Sequence, residues 1–334
     1  MTMRRLTLTR REALAAAAGA GASALLGAGP AGAQAGYPNR PVTLLVPWAA
    51  GGGADTVARL LGAGLAQALA QPVNVVNRTG GGGVTGHSAM MTAAVDGYTI
   101  GLATSEIATY KAIGLADITP DNFDIISRVT TIPSGITVKA DGPYKTAADV
   151  IAALKAAPKG TLSASGTGPG GAWHLALAGL CKAAGLAADH VKYIPSQGGA
   201  PALQELVAGG LSFLTVSPIE AKALAEGGKV KVVAVLDSRR MASMADVPTL
   251  KEATGLEWTF VNWFALVAPK GLPADVRARL ADIAAKAHAL PAVQGPMKER
   301  GITPVWETSD QSLKFVAGFA TTAGSLLKEL GLAK

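Results

Sequence analysis

After residue 40 the chain alternates two patterns. Short runs of apolar and β-branched residues give way to stretches whose apolar residues recur three and four apart. Residues 42–46 read as a strand, and Val57, Leu61, Leu65 and Leu69 then fall at helical spacing. Further strands are predicted at 73–77, 98–104, 135–139, 162–165, 191–194, 213–216, 230–236 and 260–267. Helices are predicted at 84–94, 147–156, 172–184, 200–208, 219–226 and 274–290, with a last one from about 310 to 330. This rhythm argues for an α/β fold with mainly parallel sheets. No fixed-period repeat or low-complexity linker divides it.

One kind of junction recurs. A strand ends, a small or polar turn follows, and a helix begins. It occurs at "VPWAAGGGAD", "LSASGTGPGGAWH" and "YIPSQGGAPAL", and more weakly at "LTVSPIEA" and "LATSEIA". In an open α/β sheet such turns line the ligand crevice at the carboxyl ends of the strands. The free N–H groups of a helix start favour an anion there. Glycine lets the backbone approach it without a Cβ in the way. The turn after the first strand is therefore suited to an anion held by main-chain hydrogen bonds.

Residues 1–35 stand apart. Arg4, Arg5, Arg10 and Arg11 precede an Ala/Gly/Leu run that ends in "AGAQA". This is the layout of an export signal with cleavage after Ala35, and "TRREAL" resembles a twin-arginine signal. The run is too poor in Leu, Ile and Phe to favour a membrane anchor. Removing this segment, with its four arginines and one glutamate, lowers the formal charge from +7 to +4. Lys and Arg are otherwise scattered, which argues against a nucleic-acid partner. The single cysteine, Cys181, allows no intramolecular disulfide and reads as a small core residue on a helix.

Enzyme signatures are weak. None of His87, His174, His190 and His288 has metal-ligand spacing to another donor, so no metal or cofactor is expected. "GHSAM" fails as a nucleophile elbow at its last position. "GGGVTG" does satisfy a dinucleotide fingerprint through Gly81, Gly83 and Gly86, with Glu106 placed as the ribose acid. A nucleotide-dependent exported enzyme using that turn is the alternative reading.

Taken together, "YPNRPVTLLVPWAAGGGADTVARLL", "QPVNVVNRTGGGGVTGHSAM", "DGYTIGLATS", "LSASGTGPGGAWHLA", "YIPSQGGAPALQELVAGG", "SRRMASMADVPTLKEATG" and "WFALVAPKGLP" resemble one family. It is the Bug-type periplasmic solute-binding receptors of tripartite tricarboxylate transporters. The resemblance covers essentially the whole chain after residue 35. It implies a two-lobed periplasmic-binding-protein (Venus flytrap) fold, two sheets flanked by helices and joined by two crossovers. The first lobe would comprise 36–134 plus 238–334, and the second 135–237.

The resemblance further implies a non-enzymatic periplasmic receptor. It would be monomeric, hold a small organic carboxylate in the cleft, and pass it to a membrane permease or report it to a sensor protein. By position, Trp48, Ala49, Gly51, Gly52 and Gly53 would form the first-lobe carboxylate loop. Asp55 would follow as a helix cap or as a partner for a ligand amino group. Thr104 and Ser105 would lie at the rim of a neighbouring strand, as ligand contacts or as caps. Ser165, Gly166, Thr167, Gly168 and Gly170 would face them, with His174 one turn into the next helix, against ligand or loop backbone. Ser196, Gly198 and Ser217 would complete the wall, and Trp263 reads as core. Where relatives often carry Phe and a Pro-rich turn, this chain has Trp48-Ala49-Ala50. Trp173 stands at a position usually small, and a Lys expected near Ser196 is absent. These departures point to an aromatic or hydrophobic carboxylate.

Overall fold

The computed structural model describes residues 36–334, so the export signal and its cleavage site lie outside the described residues. The first half alternates β1 (Val42–Val46), α1 (Gly53–Leu69), β2 (Val73–Asn77), α2 (Val84–Met91) and β3 (Thr99–Thr104). It continues through β4 (Phe123–Pro133), β5 (Gly135–Lys139), α3 (Ala147–Ala156), β6 (Ser163–Ser165) and α4 (Ala172–Ala183). Next come β7 (Lys192–Ile194), α5 (Gly199–Ala208), α6 (Pro218–Glu226), β8 (Val230–Val235) and the short α7 (Leu250–Thr254). The chain finishes with β9 (Val261–Pro269), α8 (Ala274–Ala289), α9 (Pro291–Glu299), β10 (Thr303–Pro304) and α10 (Ser309–Glu329).

Six strands form one sheet in the order β10-β4-β9-β3-β1-β2. Only β1, β2 and β3 are mutually parallel; β9 runs antiparallel to β3 and β4, and β10 to β4. The expectation of mainly parallel sheets fails here for a topological reason. β4 carries the chain out of the sheet at Pro133 and β9 brings it back at Val261, so neighbours run in opposite senses. The crossovers are stitched together by backbone. Ser134 N–H donates to Phe260 O, Phe260 N–H to Leu236 O, and Leu236 N–H to Ser134 O, at 2.8–2.9 Å.

The remaining strands pair as β5 with β8, antiparallel, and β6 with β7, parallel. Predicted strand 213–216 is reduced to a bridge between Leu214 and Thr137. The N–H groups of Ser212 and Phe213 donate to Ser163 O, so this segment joins the two pairs into a second, broken sheet.

The largest core lies against the six-stranded sheet. Leu45, Met90, Ile107, Phe123, Val267 and the fully buried Trp263 pack together. Trp263 meets Phe315 and Phe319 of α10 edge to face, at 6.2 and 5.8 Å, an arrangement that adds about 1 kcal/mol per pair to burial. Cys181 is buried in α4, where burial pushes its thiol up to about 12 and leaves it inert.

β4 is the longest strand and carries no legible signal. Its sequence FDIISRVTTIP breaks period two with charges that are themselves buried. Asp124 accepts from the N–H groups of Gly271 and Leu272, and Arg128 pairs with Glu307. Helix α9 follows α8 with Pro291 in its first turn, where the missing N–H costs nothing.

Candidate functional site

β1 ends at Val46, and the chain turns through Pro47 and Trp48 into α1. Trp48 is fixed at both ends: its indole Nε1 donates to Thr104 Oγ1 at 3.1 Å, and its backbone carbonyl accepts from Asn77 Nδ2 at 2.9 Å. Asp55, in the first turn of α1, organises the rest of the loop. It accepts from Gly51 N–H at 2.9 Å, Arg59 Nε at 2.9 Å and Asn77 Nδ2 at 3.0 Å. Burial alone would push its carboxyl up, but these donors outweigh it and hold the group below the usual 3.8. Asp55→Ala is expected to cost about 2 kcal/mol at neutral pH, as three bonds to a carboxylate are lost. Urea unfolding should show that difference shrinking as the pH falls below 3.8, because protonation removes the contribution.

The facing loop runs from β6 into α4. Thr167 N–H donates to Tyr193 Oη at 2.8 Å, and Thr167 O accepts from Ser196 N–H at 3.1 Å. His174 accepts from Gly170 N–H at Nδ1, 3.0 Å, and stacks on Tyr193 at 4.0 Å. Burial lowers its pKa to about 4, so it is neutral and braces the loop. Each loop touches an element of the other sheet: Ala49 N–H donates to Gln197 O, in the loop between β7 and α5, at 3.3 Å, and Gly168 lies against Gly82 of the turn between β2 and α2.

Two glutamates link elements of the two sheets. Glu220, in the first turn of α6, accepts from Gly53 N–H at 2.7 Å with Oε1, so it sits on the start of α1. Glu106 follows β3 and accepts from Ala172 N–H at 3.1 Å, so it sits on the start of α4. Glu106 also receives the Thr104 hydroxyl. Burial raises the pKa of both, that of Glu220 to about 7. The stem of Glu220 is partly exposed, but Oε2 is buried and has no hydrogen-bond partner.

Beside Glu220 lies a cavity of about 20 Å³, room for one water. Trp48, Gly52, Gly53, Thr167 and Gly198 of the predicted residues line it. Trp173, whose bulk the sequence marks as a departure bearing on the ligand, lines it too, as do Ala54, Gly199, Glu220, Asn262 and Phe264, which sequence reasoning had not assigned to the cleft. Ala49, Gly51 and Asp55 shape the first loop behind this lining. Ser165, Gly166, Gly168, Gly170 and His174 shape the second, and in the loop between β7 and α5 Ser196 Oγ donates to Gly198 O. Thr104 holds Trp48 and Glu106. Ser105, Thr167 and Ser217 keep buried hydroxyls without partners. A larger cavity of about 740 Å³, between α3, α6, β8 and residues 243–253, touches none of these residues.

The Gly80–Gly83 run, all at positive φ, packs against its own chain. A Cβ on Gly83 would lie 2.5 Å from Tyr110 Oη and 3.0 Å from Trp48; one on Gly86 would lie 2.4 Å from Pro47 Cα. Buried His87 fixes the turn. It takes Thr104 N–H at Nε2, 3.2 Å, which places its proton on Nδ1, facing Gly83 O at 3.0 Å. The glycines therefore serve the packing of α2 under the Trp48 loop, and nothing here supports the nucleotide reading. Among the described residues no group of His, Cys, Asp and Glu could hold a metal, and no helix is long and apolar enough to cross a membrane.

Comparison with known proteins agrees with this geometry. The family model TctC, described as the tripartite tricarboxylate transporter family receptor, matches residues 57–332. The "UPF0065 protein in gbd 5'region" of Cupriavidus necator is 33% identical, over 98% of this chain and 99% of that protein. The structure of the periplasmic binding protein BugD is similar with a TM-score of 0.80 and 29% identity, over 89% of this chain and all of that one. R. palustris Rpa4515 with adipate gives a TM-score of 0.81 and 25% identity, over 89% and 99% of the two chains. The chain belongs to the TctC family of tripartite tricarboxylate transporter receptors, with the two-lobed fold of the periplasmic binding proteins.

Proposed function

We propose that this chain is an exported periplasmic receptor that captures a small organic carboxylate between its lobes. One observation carries the reading. The start of α1 lines the cavity and that of α4 lies next to its lining residue Trp173, and each already holds a carboxylate supplied by the chain itself. Backbone N–H groups at Gly53 and Ala172 are thus placed for anions, without a lysine or arginine among the cavity-lining residues. A similar protein is bound to adipate. Trp48, Trp173 and Phe264 in the lining support an aromatic or hydrophobic body on the ligand.

On this reading the first lobe is 36–134 plus 238–334 and the second 135–237, with the stitched crossovers at Ser134, Leu236 and Phe260 as the hinge. The sheet memberships support that division. The lobes close on the ligand by contacts made from both sides. The closed form is a monomer that docks a membrane permease or a sensor protein, and it performs no chemistry on the solute.

The test is native mass spectrometry of mature protein purified without added ligand, followed by a thermal-shift panel of aliphatic acids, aromatic acids and nucleotides. One carboxylate per chain, released on denaturation and stabilising on re-addition, is expected. A nucleotide in its place would sink the reading.

A further inference from the structure

We propose that Glu220 is the specificity-determining residue of the cleft, so that the captured carboxylate is one that also carries a protonated nitrogen. This rests on the receptor reading. Oε1 of Glu220 is used by Gly53 N–H, and Ser217 N–H also acts on the carboxylate, but Oε2, buried beside the cavity, has no donor at hydrogen-bond geometry. A buried carboxylate oxygen without a donor is unfavourable, and the complementary group is an N–H of the solute. Position 199 is matched to it. Gly199 starts α5 beside the carboxylate, and a Cβ there would lie 2.3 Å from Oε2 and 2.7 Å from Oε1. The glycine reserves that space for Glu220.

Electrostatics point the same way. No lysine or arginine lines the cavity, and Glu106 lies buried on the start of α4. A di- or tricarboxylate would add like charges to a site with no cation to balance them. An ammonium would pair with Oε2, and the aromatic lining of Trp48, Trp173 and Phe264 suits its charge and apolar surroundings. The ligand's own carboxylate has donors left. The start of α5 has no side-chain cap, and the hydroxyl of Thr167, which lines the cavity, is unpartnered.

Calorimetric titration of the mature protein at pH 8, where Glu220 is ionised, with matched pairs decides it: 6-aminohexanoate against adipate, glutamate against glutarate, and homologues of each. The parent is expected to prefer the amino member of its best pair by about tenfold to a hundredfold, the range for one hydrogen bond to a charged group. Glu220→Gln should lose that preference while keeping its fold, since the amide still accepts from Gly53. A parent that prefers the diacid, or a variant with an unchanged ratio, would overturn this assignment and leave the receptor reading intact. Native mass spectra after incubation with a cell metabolite extract separate the two failures. A nitrogen-free carboxylate on both proteins overturns the role of Glu220 alone. Capture of no carboxylate overturns both.

Discussion

Glu220→Gln is expected to stabilise the ligand-free protein by about 3 kcal/mol above pH 7 and to change little below pH 4.5. The carboxyl titrates at about 7 when folded and near 4.5 when unfolded. Between those values the folded chain keeps a proton that the unfolded chain has released. Stability therefore falls as the pH rises from 4.5 to 7, and the deficit persists above 7. Glutamine keeps an acceptor for Gly53 and removes the charge. His87 and His174, both lowered to about 4, act in the opposite sense by losing stability as the pH falls from 6.5. They are common to both proteins, so the difference between two urea-unfolding profiles isolates Glu220. Parallel profiles would mean that the carboxylate is solvated. The gain would come at the expense of binding, as at other sites where function keeps a group under strain.

Gly86→Ala should destabilise the protein by about 3 kcal/mol, the upper end for overpacking. Its Cβ would meet Pro47 Cα at 2.4 Å and Arg78 O at 2.6 Å, and neither backbone atom can swing aside as a side chain could. The strain falls on the loop that holds Trp48, so ligand affinity should drop with stability. Gly318→Ala, in α10 with nothing within 4 Å of the new methyl, is the control and should gain about 0.5–1 kcal/mol. Chemical denaturation of both variants measures the pair. If Gly86→Ala unfolded like the control, the close packing of α2 against Pro47 would be refuted. A dinucleotide-binding turn would instead lose a cofactor and keep its stability.

Much of the fold is legible because its signals are local. Val57, Leu61, Leu65 and Leu69 announce α1 by spacing alone, and all four are buried. Thr146 with Asp149, and Thr308 with Gln311, mark helix starts by capping boxes that form as their sequences imply. What escapes is decided far away along the chain. β4 is hidden because Arg128 finds Glu307, and Asp124 finds Gly271, only after folding. The same holds for the cleft. Its glycine-flanked helix starts can be read in order, since each loop is contiguous in sequence. Glu220 cannot, because "SPIEA" is an ordinary first turn with an acid in it and its partner Gly53 lies 167 positions away. Glu106 draws notice only as a ribose-binding acid, whereas it caps α4 from beyond the end of β3, 66 positions away. Gly199 reads as a turn glycine until the carboxylate beside it is known.

The position of β9 has a bearing on biosynthesis. This strand lies between β3 and β4 at the centre of the six-stranded sheet, yet it is made of residues 261–269. While the ribosome is still working upstream, β3 and β4 have no partner on their facing edges. Everything that forms the β5–β8 and β6–β7 pairs is synthesised in that interval. The nascent chain therefore carries two open strand edges through much of translation, a condition that invites aggregation and slows folding through long-range closure. The smaller sheet is free to assemble first, and the larger one waits for the last quarter of the chain.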